Sequence, residues 1–167
     1  MELKMYIRLM EKNSNYNFHR RQLTMVLLNS AIVPWKEMGG INLYSHISEF
    51  YSTIIKLTDT DVLFGKTLVR YEIKDEVYLW FNLFNGKLFK ITALKNYTGK
   101  LFNEIQIGMS MEEVLKIEPS FEYDEFEEVY GSPKGIYIET EPIDNTVLWI
   151  SIYIKEIDNE DFEKGNW

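Results

Sequence analysis

The chain contains no cysteine. Disulfides, thiolate metal sites and a cysteine nucleophile are therefore excluded. Histidine is nearly as scarce. The two histidines, His19 and His46, fit no ligand spacing such as His-x-x-x-His, and neither belongs to a Glu-x-x-His string. Without them a hydrolytic metal site would rest almost wholly on carboxylates. No serine lies in a Gly-x-Ser-x-Gly elbow, and no glycine run matches a phosphate loop. Long apolar runs are absent. Met25-Val26-Leu27-Leu28 is among the longest, far short of a membrane span. Residues 1–10 mix Glu2, Lys4 and Arg8 into the apolar positions, so no uninterrupted secretory core is present. These absences lead to the expectation of a cytoplasmic protein with no catalytic residue, cofactor, metal or membrane contact.

What is present is aromatic and acidic. The 167 residues suit one domain with a sizeable core. Eleven Tyr, ten Phe and four Trp supply large buried or interfacial areas. Net charge is −8, unevenly placed. Residues 1–103 carry 14 Lys and Arg against 9 Asp and Glu, a balance of +5. Residues 104–167 carry 4 against 17, a balance of −13. Phosphate binding needs cations, so the second half is unsuited to nucleic acid and suited to a basic partner protein. Arg20, Arg21, Arg8 and Lys4 are too sparse to argue a nucleic-acid site.

Periodicity outlines an α+β chain. Leu3, Met5, Ile7 and Leu9 alternate as in a strand. Gln22 to Leu28 reads as a strand or a short helix, ended by Pro34. Gly39-Gly40 is a break. From Leu43, residues Ile47, Phe50, Tyr51, Ile54 and Ile55 fall at helical spacing, with Ser45 or Asn42 as the cap. Thr58 to Asp61 reads as a loop. Val69, Tyr71 and Ile73 alternate with Arg70, Glu72 and Lys74 as in a strand. Asn85-Gly86 between two apolar runs predicts a hairpin on a type I′ turn. That turn would pair Leu83 with Leu88 and Trp80 with Ile91, and set Asn82 opposite Phe89 and Phe81 opposite Lys90. Both faces of such a hairpin are bulky and apolar. It should be central, covered by a helix on one face and by more chain or a partner on the other.

Ile105-Gln106-Ile107 reads as a strand end before Gly108. Ser110 and Glu113 form a capping box, opening a short helix that Pro119 stops. The amides at Gly108-Met109-Ser110 could hold an anion, but Glu112 and Glu113 would repel it. Ile136 to Ile138 begins a strand, and Val147 to Ile154 is the most strand-prone stretch. The acidic tail, residues 156–167, is expected to fray. With no repeat or linker, one domain over residues 1–167 is predicted, mainly antiparallel sheet with a few packed helices.

One stretch concentrates the charge. Glu122, Tyr123, Asp124, Glu125, Phe126, Glu127, Glu128 and Tyr130 include no basic residue. A consecutive acidic run is normally solvated, which works against a buried acid/base pair. It lacks the glycine and oxygen pattern of a calcium loop. Acids mixed with aromatics combine steering charge and rigid contact area, the makings of a recognition surface. A solvated acidic edge is the plainer alternative.

A resemblance sharpens this. Phe84-Asn85-Gly86-Lys87-Leu88, Tyr97-Thr98-Gly99-Lys100-Leu101-Phe102, Ile107-Gly108-Met109-Ser110, Tyr123-Asp124-Glu125 and Lys134-Gly135-Ile136-Tyr137-Ile138-Glu139-Thr140 together span roughly residues 78–155. This part resembles immunity proteins encoded beside bacterial polymorphic toxins, including those of contact-dependent growth inhibition. The resemblance implies a non-enzymatic protein that binds one cognate toxin domain in the cytoplasm. A basic nuclease cleft, occluded by acidic residues, would be its target. The Ile-Gly-Met-Ser-x-x-Glu-Val string is also similar to small α/β modules of outer-membrane assembly factors and β-lactamase inhibitor proteins. The absence of cysteine and of a lipoprotein signal counts against the former. Two other readings stay open: a small carboxylate and metal-dependent enzyme, and a ligand-binding or anti-defence protein of a mobile element. Residues 1–66 suggest no family, and oligomeric state is not readable.

Overall fold

Ten strands and two short helices follow one another in the computed structural model, which describes residues 26–167, with backbone only for residues 56–61. The strand expected over residues 2–10, His19, and the start of the 22–28 segment lie outside the described residues.

Two strands form a small hairpin, β1 (Glu37–Met38) and β2 (Ile41–Asn42), turning at Gly39-Gly40. Both glycines have positive φ, as a two-residue turn of this kind requires. A 3-10 turn, Ile47–Phe50, then runs into α1 (Tyr51–Leu57). This helix starts later than its apolar spacing suggested. The cap is His46, not Ser45 or Asn42: its Nδ1 accepts from Ser48 N while Glu49 accepts from His46 N. The stripe is also narrower than expected. Phe50 is buried, but Tyr51 and Ile55 are exposed.

The remaining strands are β3 (Thr58–Phe64), β4 (Leu68–Ile73), β5 (Val77–Asn82), β6 (Leu88–Ala93), β7 (Glu122–Asp124), β8 (Val129–Ser132), β9 (Ile136–Thr140) and β10 (Val147–Tyr153). The second helix, α2 (Met111–Ile117), lies between β6 and β7. These strands make one eight-stranded sheet in the order β3-β4-β5-β6-β10-β9-β8-β7, every pair antiparallel. The chain meanders inward from one edge to β6. It leaves through residues 94–121, restarts at the opposite edge with β7, and meanders inward again to β10. A single non-local pairing, β6 with β10, joins the halves through Ile150↔Ala93 and Ile152↔Ile91. The α+β, mainly antiparallel, single-domain architecture is as the periodicity predicted.

Three expectations fail locally. Thr58 to Asp61 is strand, because pairing with β4 outweighs the turn-like Asp-Thr-Asp composition. Asn85-Gly86 is not a type I′ turn. Only Gly86 has positive φ, and a five-residue loop is closed by Gly86 N donating to Asn82 O at 2.8 Å. The type I′ geometry belongs to Lys74-Asp75, both at positive φ. The β5–β6 register is therefore shifted by one: Trp80 faces Lys90 and Leu79 faces Ile91. Phe89 is the extra residue of a bulge between Trp80↔Lys90 and Phe81↔Leu88. Finally, the C-terminal tail is packed. Phe162 is buried, Trp167 stacks on it with ring centroids 5.7 Å apart, and Asn82 Nδ2 donates to Phe162 O.

Because side chains alternate along a strand, register assigns each residue to a face. On one face Val69, Tyr71, Ile73, Val77, Leu79, Phe81, Ile91, Ala93, Ile150, Ile152, Ile136 and Ile138 are buried and form the core. The 3-10 turn covers part of it, with the Phe50 ring 5.5 Å from that of Phe81. Met111 and Val114 of α2 join the same cluster. Each such side chain contributes about 1.5–3 kcal/mol by leaving water. The opposite face carries Arg70, Trp80, Lys90 and Tyr153 in one row, and Glu72, Tyr78, Thr92, Ser151 and Tyr137 in the next.

Candidate functional site

The eight residues singled out from the sequence meet in one edge hairpin. Phe121 is buried and anchors its start. Glu122 pairs with Gly131, Tyr123 with Tyr130 and Asp124 with Val129. The turn is held by Asp124, whose Oδ1 accepts from Phe126 N at 2.8 Å and Glu127 N at 3.1 Å. This is the local side-chain turn that Asp favours. Glu128 closes it at φ +56°.

Every residue from Glu122 to Glu128 is exposed, and Phe126 is 90% exposed. Tyr130 is half-buried, its ring 4.9 Å from that of Tyr123. Period 2 separates the chemistry. Glu122 and Asp124 project to one side of the sheet, while Tyr123 and Tyr130 project to the other. Among the described residues, no ion pair engages any of these carboxylates. A shallow depression lies beside them, bounded by Ser120, Glu122, Asp124, Glu125, Pro133 and Tyr137. The hairpin also ends the sheet: β7 is an edge strand, and acidic side chains there discourage indiscriminate strand pairing.

The base of the hairpin is fixed by a polar cluster. Glu118, buried at the end of α2, accepts from Lys134 Nζ and Ser120 N. The Lys134 hydrogen bond holds its carboxyl below the usual range. Ser120 and Ser132 hydroxyls lie 2.9 Å apart. These contacts tie α2 to the β8–β9 turn and set where the hairpin leaves the body.

The turn before α2 offers no anion site. Gly108 N donates to Val147 O at 2.8 Å and Met111 N to Asn145 O at 3.1 Å. The capping box is formed, Ser110 Oγ accepting from Glu113 N. Ile105 bridges Leu101 and joins none of the named strands. Among the described residues, no group of three or more His, Cys, Asp and Glu side chains is placed to hold a metal. His46 is a helix cap packed beside Gly86.

A second group was missed by sequence reasoning. On the face opposite the core, the Arg70 guanidinium lies over three rings: Tyr78 at 4.1 Å, Trp80 at 5.2 Å and Phe64 at 5.3 Å. Lys90 Nζ lies 5.0 Å from the centre of the Trp80 ring. Trp149 meets Tyr78 edge-on at 5.8 Å. Arg70 Nε and Trp80 Nε1 are buried without a hydrogen-bond acceptor. Each such orphan costs about 1–3 kcal/mol. Burial lowers the Lys90 ammonium, against the pull of Glu139 and Glu127. Burial likewise raises the Glu139 carboxyl. The alternation of Arg70 with Val69 and Tyr71 was a visible signal, but the type I′ register set Trp80 against Ile91 and hid the grouping.

No family model matches the chain, and no curated protein matches it. Among solved structures, it is similar to one described as a cysteine-rich secretory protein from Staphylococcus aureus subsp. aureus Mu50. The TM-score is 0.48 at 15% identity. The match covers 79% of this chain and 51% of that one, so the chain spans about half of that protein's length. No described helix is long and apolar enough to cross a membrane.

Proposed function

We propose that the protein is a non-enzymatic immunity protein that binds and neutralises a basic toxin domain, a cytoplasmic nuclease being the class that fits. The observation that carries this reading is the β7–β8 hairpin. It presents five carboxylates, Glu122, Asp124, Glu125, Glu127 and Glu128, exposed and outside any described ion pair. Phe126 stands exposed at the turn among them, and Tyr123 is exposed on the opposite side of the strand. Unpaired exposed acids are free to steer a cationic surface, and aromatics beside them give rigid contact area. The resemblance over residues 78–155 supports the same reading. Such an inhibitor occupies the phosphate-binding cleft of its target and needs no chemistry of its own.

The test is association with the toxin domain encoded next to it, measured by stopped flow across a salt series. Replacing Asp124, Glu125, Glu127 and Glu128 by their amides should lower the on-rate by roughly 10–100-fold at low salt and flatten its salt dependence. The Phe126→Ala change should act chiefly on the off-rate. A complex that forms with unchanged rates in the four-fold variant would exclude this hairpin as the docking surface.

A further inference from the structure

We propose that the β9–β10 loop, residues 141–145, is a second arm of the docking surface, with Ile143 and Phe126 as paired apolar contacts for a cationic protein domain; this rests on the immunity reading and adds a loop outside the 122–130 stretch. Topology puts both loops at one end of the sheet. Strands β7 to β10 form an antiparallel meander, so the β7–β8 and β9–β10 turns leave the same side. Asp124 pairs with Val129 and Tyr130 with Ile138, which sets Asp124 level with Glu139. The β9–β10 loop opens one residue further on, after the Thr140↔Val147 pair. Two strand spacings, about 10 Å, separate the turns. The Asn145 side-chain amide lies 3.5 Å from the Tyr130 hydroxyl and links them.

Ile143 is 96% exposed and Phe126 90%, the two most exposed large apolar side chains among the described residues. Neither stands on a loose end. Asn145 N donates to Glu141 O at 2.9 Å and closes the loop, and Met111 N donates to Asn145 O at 3.1 Å. Asp144 Oδ1 accepts from Thr146 N and Thr146 Oγ1. The Asp124 side chain holds the other turn in the same way. A lone exposed apolar residue is ordinary. Two held out on adjoining fixed turns make a contact that loses little freedom on binding. Charge selects what covers them. Glu141 and Asp144 are exposed and, like the carboxylates of the β7–β8 hairpin, outside any described ion pair. Residues 122–130 and 140–147 contain no Lys, Arg or His. Such a rim repels nucleic acid and anionic lipid, and it complements a basic protein surface with two apolar sockets about 10 Å apart.

The experiment follows dissociation of the toxin domain encoded next to this chain, in a catalytically inactive form, from the immobilised full chain by surface plasmon resonance. Ile143→Ala is expected to raise the off-rate about tenfold, as Phe126→Ala does, with little change in on-rate. Phe84→Ala serves as the control: that side chain is also exposed, but on the β5–β6 loop at the other end of the sheet, and its loss should leave the off-rate as it is. A complex that forms but is indifferent to Ile143→Ala overturns the second arm and leaves the immunity reading standing. No complex with the unaltered chain overturns both. Sedimentation with phosphatidylcholine–phosphatidylserine vesicles tests the lipid alternative. Co-sedimentation that Ile143→Ala abolishes would put the tip in a membrane and overturn the proposal. Ile143 and Phe126 are nearly fully exposed, so neither substitution removes a contact on which the fold depends.

Discussion

Asn82 ties the C-terminal tail to the sheet, and its removal has a calculable cost. The residue is fully buried at the end of β5. Its Nδ2 donates to Phe162 O at 3.0 Å and Glu163 O at 3.1 Å, and its Oδ1 accepts from Phe84 N at 2.8 Å. Asn82→Ala removes all three bonds. At about 0.5–1.5 kcal/mol each, the loss is about 1.5–4.5 kcal/mol; Phe162 O itself keeps two donors, the Trp167 indole N–H and Gly165 N. Asn82→Asp keeps the bond to Phe84 but turns a carboxylate oxygen toward two carbonyls in a desolvated site. It should therefore cost more than Ala, the reverse of what loss of packing volume alone would give. Urea unfolding followed by tryptophan emission provides the assay, because Trp167 stacks on Phe162 and donates its indole N–H to Phe162 O. An Asn82→Ala stability within about 0.5 kcal/mol of wild type, or an Asp variant as stable as Ala, would refute the reasoning.

The other predictions concern glycine, pH and capping. Gly86 has φ +68°, and a Cβ there would fall 2.3 Å from His46 Nε2; Gly108 has φ +83° with nothing within 4 Å. Gly86→Ala should therefore lower the melting temperature more than Gly108→Ala, which carries only the backbone strain of about 1–2 kcal/mol, and His46→Ala should partly rescue Gly86→Ala in a double-mutant cycle. Glu118 is held below its ordinary value by the Lys134 hydrogen bond. Its folded pKa is depressed, so its stabilisation is complete above the unfolded value, about 4.3, and is lost as pH falls through the folded one. Urea midpoints of Glu118→Gln should fall short of wild type at pH 7 and approach it only as pH falls through the depressed folded value; parallel curves would contradict this. Glu139 is raised by burial, so its contribution runs the other way, stability falling as pH rises through its folded value. Ser110→Ala removes the oxygen that caps α2 and should cost about 1 kcal/mol in the same assay.

Local rules decided much of this molecule. The Ser110–Glu113 box, the α2 stop before Pro119, the alternation of β4 and the strand over Val147 to Tyr153 all form where composition and spacing put them. Each depends on neighbours within a few residues, and such interactions are readable in the sequence. The acidic–aromatic character of Glu122 to Tyr130 was equally plain. What spacing could not supply was its place at the edge of an eight-stranded sheet, with acids and tyrosines turned to opposite sides. His46, not Ser45 or Asn42, caps the first helical segment because a imidazole reaching Ser48 is as good an acceptor as a hydroxyl. Propensity ranks residue types and does not see that geometry.

The sequence by itself determined the class of protein: no thiol chemistry, one α+β domain, an acidic second half and a run of carboxylates interleaved with aromatics. Tertiary structure alone decided the register of β5 on β6. The five-residue loop slides β6 by two residues relative to the two-residue turn and the bulge at Phe89 takes one back, so Trp80 faces Lys90 instead of Ile91, while the β4–β5 pairing sets Arg70 on its other side. A slip of one residue reverses which side chains share a face. The cause lies outside the hairpin. Asn82 is held by Phe162 and Glu163, about eighty residues away, and Phe89 packs its ring 5.0 Å from that of Phe162. Those long-range contacts outweigh the two-residue turn that Asn85-Gly86 favours locally, and with the register they fixed which groups face each other across the sheet.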